Sequence, residues 1–556
     1  MQRISLRHIL LALAMTFIFQ ISDVALAQQA GPGPGQGGGM GLTTLTTFET
    51  DDFSGSGICA LCHSRLTDEA GSDVSNDAQW RSTMMANAAK DPLWQAKISS
   101  EIDRNPHVQA VIEEKCSRCH MGMARYQAIT DGTPVGVLSP GFLDPGHYLH
   151  EAAMDGVSCT LCHQIQPDKL GTSDSFTGKY VIDTATVRPN RLIYGPYDQP
   201  LQNPMKNNAG FLPTPGSQIA DSAHCGSCHT LYTPALDASG NDLNYEFPEQ
   251  TTYLEWEHSA FLQTCQDCHL PKAQGSVVIS NRPRNLAART SFWQHYYVGG
   301  NSFMVNLLKA NADALGVTAD GAHFDDTISL TLTQLEQETA VLMTEATRTG
   351  DALSVIVNVE NLAGHKLPSG LPSRRCWLHV VVTDANKKLI FESGKPLADG
   401  RIEGNDAEDN DPTTYEFHYN TITSKDQVQI YEPIMQTYEG DVTYTLLRAF
   451  SYVKDNRLLP SGFNKNSAPV DVRVYGMADR DADFTGGSDK VTYEIDVTGT
   501  RGRLTVTVEL LYQTLSYPFV ADLATTDTNL VNNFMGLYNP ADNVPVILDG
   551  VQMTVR

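Results

Sequence analysis

The chain has 556 residues, which is enough for two to four domains. With 41% hydrophobic residues and a mean hydropathy of -0.25, it is neither a polytopic membrane protein nor a fully disordered chain. The formal net charge of -25 excludes the basic footprint that binding along nucleic acid requires, so we expect no nucleic-acid partner.

The N-terminus has the pattern of a signal peptide over residues 1–27. Arg3 and Arg7 precede an apolar run at residues 9–19, and Ala25-Leu26-Ala27 is a small-x-small cleavage site. The apolar run is too short to span a bilayer comfortably, although an uncleaved anchor is the alternative. We therefore expect export to the periplasm or the extracellular space, and no transmembrane segment in the mature chain.

The rest of the chain divides into three parts. Residues 28–50 form a Gly/Pro-rich linker. Residues 51–347 hold all the paired cysteines, with helical patterns over 77–102 and 106–115. Residues 348–556 change to period-two alternation, which predicts an all-β, sandwich-like domain. The predicted fold class is thus α + β and multidomain, and the predicted strands lie at 355–359, 377–382, 443–453, 470–474, 491–497 and 504–511.

Five segments read Cys-x-x-Cys-His, the attachment pattern of c-type haem. In this pattern the two thiols form thioethers with the haem and the histidine binds the iron on its proximal side. A zinc site or a redox dithiol is the alternative for a single copy, but five copies in an exported chain favour five covalently bound c-type haems. The predicted thioether residues are Cys59, Cys62, Cys116, Cys119, Cys159, Cys162, Cys225, Cys228, Cys265 and Cys268, and the predicted proximal ligands are His63, His120, His163, His229 and His269.

Each haem iron has a second, distal axial position. A protein side chain there produces an electron carrier, whereas an open position lets the iron bind a substrate. The chain has enough spare histidines to fill all five distal positions, and several of them lie shortly before a Cys-x-x-Cys-His motif. The distal candidates are His107, His150, His224, His258, His295 and His365, together with Met84 and Met85.

The chain resembles the exported bacterial multihaem c-type cytochromes whose haem region is followed by a β-domain. The resemblance rests on segments such as 80–86 (WRSTMMA), 247–256 (FPEQTTYLEW), 295–301 (HYYVGGN) and 364–370 (GHKLPSG), and it covers roughly residues 55–515. It implies an electron carrier with largely six-coordinate haems. It also supports His258, His295 and His365 as distal ligands and draws attention to Met84 or Met85, because related helices often carry histidine near that place.

A calcium site is a further hypothesis, because Asp479, Asp481 and Asp483 alternate before two glycines. A solvated acidic turn is the alternative.

Three functions remain open at this stage. The first is electron transfer along closely spaced haems to a redox partner protein or an extracellular acceptor. The second is a multihaem oxidoreductase with one open-site haem, which would be an enzyme acting on a small substrate. The third is a haem-bearing subunit of an outer-surface assembly.

Overall fold

The computed structural model describes residues 44–556, and the predicted signal peptide and most of the predicted linker lie outside this part of the chain. The fold is a mixture of helices and sheets, in agreement with the predicted α + β class. None of the helices in the described part is long and apolar enough to cross a membrane.

The first region, up to residue 339, consists of short helices, three two-stranded sheets and long connections. Its helices are α1 Ser56–His63, α2 Asn76–Trp80, α3 Pro92–Arg104, α4 Gln109–His120, α5 Gly122–Thr130, α6 His150–Met154, α7 Cys159–Cys162, α8 Gln202–Asn208, α9 Ser222–His229, α10 Thr252–Glu257, α11 Cys265–His269, α12 Ser302–Ala310 and α13 Gly321–Glu338. Its strands are β1 Arg191–Gly195, β2 Phe211–Pro215, β3 Thr230–Leu236, β4 Asp242–Thr251, β5 Ser276–Val277 and β6 Arg289–Thr290.

The prediction of one continuous helix over residues 77–102 is wrong. Turns at residues 81–90 separate α2 from α3. Asp91 is extended because it precedes Pro92, and a residue before proline is disfavoured in the helical conformation. Asp91 instead caps α3, where its side chain accepts a hydrogen bond from the Leu93 N–H at 2.9 Å.

The second region contains two larger sheets that share one core. One sheet has the order β10-β9-β17-β18, with β12 paired to β9, and the other has the order β11-β16-β8-β7. A third sheet has the order β14-β13-β15. The strands are β7 Ala340–Thr349, β8 Ala352–Asn361, β9 Arg375–Thr383, β10 Leu389–Ser393, β11 Thr421–Ile422, β12 Ile430–Tyr431, β13 Pro433–Gln436, β14 Val442–Thr443, β15 Ser451–Asp455, β16 Ser488–Asp496, β17 Leu504–Gln513 and β18 Val546–Val555; two helices, α14 Tyr517–Leu523 and α15 Asn529–Tyr538, interrupt them.

Alternation of buried and exposed residues along the strands lets the two larger sheets pack against each other. Val355, Val357 and Val359 of β8 are fully buried and pack in the same core as Val506 and Val508 of β17. Three expectations fail here. Residues 470–474 form turns rather than a strand, a short helical turn at Leu446–Arg448 interrupts the strand predicted at 443–453, and helices α14 and α15 mean that the region is not all-β. The expected boundary at 347/348 falls inside strand β7.

Helix α3 joins the two regions. Its apolar residues Leu93 and Ala96 share a buried cluster with Phe519 and Phe534 of α14 and α15. Arg104, at the end of the helix, forms an ion pair with Asp522 at 3.1 Å. The second region therefore packs directly against an element of the cysteine-rich region.

A buried group of charges forms a second junction between the regions. Glu255 of α10 accepts hydrogen bonds from the Lys366 N–H at 3.2 Å and from Ser369 Oγ at 2.7 Å. Arg457 bridges Glu255 and Asp455, each at 2.8 Å, and Lys366 Nζ reaches Asp455 at 2.7 Å. All four charged side chains of this group are at most 5% exposed. This junction fixes the loop that contains residues 361–370.

Candidate haem-binding cavity

A single large cavity is lined by all fifteen cysteines and histidines of the five Cys-x-x-Cys-His motifs. Its volume is about 1550 Å³, whereas pockets for one drug-sized ligand usually hold roughly 300–1,000 Å³. Apolar and aromatic side chains make up much of the remaining wall, among them Trp80, Trp94 and Tyr297. The cavity is therefore suited to several large, mainly apolar groups rather than to one small ligand.

The motif residues are presented to this cavity by helical turns. In a helix, residues three and four positions apart lie on one face, so the two cysteines and the following histidine of a motif point in similar directions. Side-chain caps begin two of these helices: Asp221 accepts from the Ala223 N–H at 2.8 Å, and Thr264 and Asp267 form a capping box. The local sequence thus fixes where the α9 and α11 motifs begin.

Four of the five proximal histidine candidates hold their rings through a hydrogen bond from Nδ1 to a backbone carbonyl. A histidine that binds a metal through Nε2 commonly donates its Nδ1–H in this way, which fixes both the tautomer and the ring orientation. Burial lowers the pKa of His120 and of His269 to about 4, so both rings are neutral at pH 7 and retain a lone pair for iron. The bonds run from His63 to Ile279 (2.8 Å), from His120 to Ala88 (2.9 Å), from His163 to Tyr194 (2.6 Å) and from His269 to Val298 (2.5 Å).

Two distal candidates face a proximal candidate across the cavity. The ring centroids of His163 and His295 are 6.4 Å apart, and those of His269 and His365 are 6.3 Å apart. The rings are 22° and 9° from parallel. Imidazole–metal bonds are about 2 Å long, so two rings on opposite sides of one metal ion have centroids roughly 6 Å apart. Both pairs therefore have the spacing that one iron between them requires.

The two facing histidines are held by their surroundings. His295 Nδ1 bonds to the Trp293 carbonyl at 3.1 Å, and its backbone N–H donates to Gln79 Oε1 at 2.8 Å. His365 Nδ1 bonds to the Lys366 carbonyl at 2.8 Å. The loop approaches so closely that a Cβ on Gly364 would lie 2.6 Å from the Phe261 ring. The buried charges around Glu255 hold the residues that follow His365.

Three other distal candidates lie outside the cavity lining. His107 is exposed and its Nε2 is hydrogen-bonded to the Gly240 carbonyl at 2.7 Å, a bond that iron binding would have to break. His150 and His258 bond through Nδ1 to the carbonyls of Phe142 and Leu254, at 2.9 Å and 2.8 Å. For these three, axial ligation stays a prediction.

The last three distal candidates do line the cavity. His224 is buried, and its Nε2 lies 3.1 Å from Cys162 Sγ, so it faces the third motif rather than its own. Met84 and Met85 also contribute to the wall. The nearest ring to His120 is Trp94, which stacks on it with centroids 4.5 Å apart.

The motifs contact one another in an order that differs from their order in the chain. The thiols of Cys59 and Cys159 lie beside each other, as do those of Cys119 and Cys228 and those of Cys225 and Cys265. Cys162 of the third motif adjoins His224, directly before the fourth. The contacts therefore join motif one to three, three to four, and four to both two and five. The sequence contains no pattern that indicates this branching.

The three aspartates proposed for calcium do not form one cluster. Asp481 accepts from the Asp483 N–H at 3.0 Å and lies 2.9 Å from His418 Nε2. His418 Nδ1 faces two amide donors, from Gln429 and Asn456, so the ring proton sits on Nε2 and points to Asp481. With Nε2 donating, this histidine is a hydrogen-bond bridge rather than a metal ligand. Asp479 ends a separate short helical turn, and calcium binding stays a prediction.

Comparison with known proteins gives one similar structure. No family model and no curated protein matches the chain. The structure is a penta-heme cytochrome c552 from Thermochromatium tepidum, with 16% identity and a TM-score of 0.47, and the match covers 86% of this chain and 95% of that one. A likeness at this level does not assign the chain to a family, so the functional argument rests on the residues described above.

Proposed function

We propose that this protein is an exported pentahaem c-type cytochrome that carries electrons along closely spaced haems. The observation that carries the proposal is the single cavity lined by all five motifs, within which two proximal histidines each face a distal histidine at the spacing of one metal ion. When bound, haem supplies an iron that changes between the ferric and ferrous states.

The residues of the chain hold and orient the haems. The ten motif cysteines would anchor them, and the carbonyl-bound histidines would present neutral Nε2 atoms to the irons. Because the motifs contact one another, haems attached to them would lie close together, which would favour electron transfer from one to the next. A redox partner protein or an extracellular acceptor receives the electrons, in the periplasm or outside the cell.

Haem counting tests this proposal. A pyridine haemochrome assay of the exported protein should give five haems per chain, and the haems should resist acid–acetone extraction because they are covalently attached. Cys268→Ala should lose a thioether of the fifth haem. Cys376→Ala is the matched control: Cys376 is buried in the second region's core and should not alter the count. Freely extracted haem, or two or fewer haems per chain, would contradict the proposal.

The alternative function is that of an enzyme, which requires an open coordination position on one iron. Trp94, rather than a histidine, stacks on the ring of His120, and this is the observation that favours such a position at the second motif. Low-temperature electron paramagnetic resonance of the oxidised protein separates the two functions. Five low-spin irons support electron transfer alone, whereas one high-spin iron that binds cyanide supports catalysis.

A further inference from the structure

Glu249 is a buried carboxyl group with an unsatisfied oxygen on the cavity wall. It lies on β4, is 3% exposed, and its Oε2 has no hydrogen-bond partner among the described residues. Its Oε1 meets only Gln250 Nε2, at 3.3 Å. Thr233, on the neighbouring strand, also lines the cavity and has an unpartnered, buried Oγ1. Two orphan polar groups in one wall show that this part of the cavity has hydrogen-bonding capacity which the chain itself does not use.

The wall beside Glu249 belongs to the second motif. Glu249 and Cys116 both line the cavity, and Lys115, directly before Cys116, pairs with Glu246 of the same strand as Glu249 at 2.6 Å. Burial raises the pKa of the Cys116 thiol, and the charge of Glu249 adds to that increase. The backbone carbonyl of Glu249 accepts a hydrogen bond from the Tyr452 hydroxyl at 3.2 Å, which fixes the strand against the second region. A haem attached at Cys116 and Cys119 would therefore lie next to this carboxyl group.

The two lysines nearest to Glu249 form their hydrogen bonds and ion pairs with other groups. Lys97 of α3 bonds to the Tyr444 carbonyl at 2.9 Å and pairs with Glu101 at 3.2 Å. Lys115 of α4 pairs with Glu246 at 2.6 Å and bonds to the Tyr232 carbonyl at 3.0 Å.

The charge of Glu101 is likewise engaged, by the N–H groups of Leu446 at 2.7 Å and Leu447 at 3.3 Å. Burial raises the pKa of Glu249 to about 7; Glu101 adds to the increase, and Lys97 and Lys115 oppose it. Tyr452 also lies beside Glu249, and burial raises the pKa of its phenol, which stays protonated.

We propose that Glu249 is the proton acceptor coupled to reduction of the haem attached at Cys116 and Cys119, so that Glu249 gains one proton when this haem gains one electron. The inference rests on the proposed function. One electron from a one-electron reductant converts ferric to ferrous iron, and one solvent proton binds a carboxylate oxygen of Glu249; no other bond forms or breaks. Added negative charge on the haem strengthens proton binding at a nearby carboxylate, and by linkage the proton stabilises the reduced haem.

The test is a spectroelectrochemical titration of the five-haem protein between pH 5 and pH 9. Raising the pH deprotonates Glu249 and so lowers the potential of one haem. The equilibrium constant should change up to tenfold per pH unit, which for one electron is 59 mV. Reduction at pH 7 in lightly buffered solution should also take up a proton, visible with an indicator dye.

Three variants complete the test. Glu249→Gln should make that haem's potential independent of pH and abolish its proton uptake, whereas Glu249→Asp should keep the dependence with a shifted midpoint. Glu345→Gln is the control for the loss of a carboxylate, because Glu345 is exposed on strand β7, outside the cavity lining, and the variant should behave as wild type. A pH dependence that persists in Glu249→Gln, or that is absent from all five haems of the wild type, would overturn the inference. A count of five haems keeps such a failure separate from failure of the proposed function.

Discussion

The two regions of this protein obtain their interiors in different ways. In the second region, β8, β9, β16 and β17 bury their alternate side chains against one another and form a continuous apolar core. In the first region, short helices and long connections surround a cavity of about 1550 Å³. Protein interiors are normally close-packed, so a cavity of this size cannot be a stable interior by itself. The second region therefore has an apolar core of its own, whereas the first region, under the proposed function, would be completed by its haems.

The second region also contributes groups to the wall of the cavity in the first region. The second region supplies His365, which faces His269, and the segment at residues 444–447, which engages Lys97 and Glu101 of α3. A rigid apolar core behind these residues holds them in place. The scaffold therefore positions groups on the cavity wall without needing cofactor for its own stability.

Removal of haem should produce the largest effect. The full mature chain, expressed without the haem-attachment machinery, should lose protection in the first region while the sheets of the second region stay folded, because only the first region depends on filling the cavity. Limited proteolysis with peptide mapping should find cuts concentrated between residues 51 and 339. The haem-loaded protein under the same conditions is the control. Equal protection of both regions in the haem-free chain would refute the comparison.

Breaking the buried charge group should destabilise the junction. Lys366→Met leaves Asp455 without one of its two cations in a site that water does not reach. Removal of one partner from a buried ion pair costs about 3–5 kcal/mol, and the free energy of unfolding from denaturant titration should fall by this amount.

Lys425→Met is the control for the charge change. Lys425 lies 4.0 Å from Asp426, and the two side chains are 70% and 61% exposed, so the change should stay within about 1 kcal/mol. If the two variants lose equal stability, the buried group does not stabilise the junction.

Local patterns allowed the sequence to predict what depends on local structure. The strands predicted at 355–359 and 504–511 are present because the alternation of each strand repeats over a few residues. The N-terminal limit of the second region could not be predicted in this way, since strand β7 begins at Ala340, almost directly after helix α13. Helices α14 and α15 were not predicted, because they lie within a region whose sequence pattern is dominated by strands.

The wall of the cavity required tertiary information. His163 and His295 are separated by more than a hundred residues, and no spacing rule joins them. Glu249 and Glu255 look like ordinary acidic residues of a strand and a helix, yet one faces the cavity and the other joins Lys366, Ser369 and Arg457. Their roles arise from burial, which only the packing of the two regions determines. The glycine- and proline-containing loop indicated a fixed position for His365, which faces His269, and its role as an axial ligand stays a prediction.

Replacement of His365 should change the structure of the protein least. Its main effect should be on the spin state and ligand binding of a single haem. His365→Ala removes the imidazole that faces His269 and leaves the buried group around Glu255 in place. We expect one of the five haems to change from low to high spin and to bind cyanide or carbon monoxide, because its iron gains an open position. Electron paramagnetic resonance and ligand titration measure both changes. His323→Ala is the matched control, since His323 forms a capping box with the N-cap residue Asp320 of helix α13, outside the cavity lining, and should leave every haem signal unchanged. The interface should loosen only slightly, because Lys366 and Arg457 still hold it. A full low-spin signal and ligand inertness in His365→Ala would show that His365 is a surface residue of the loop and that the second region supplies no axial ligand there.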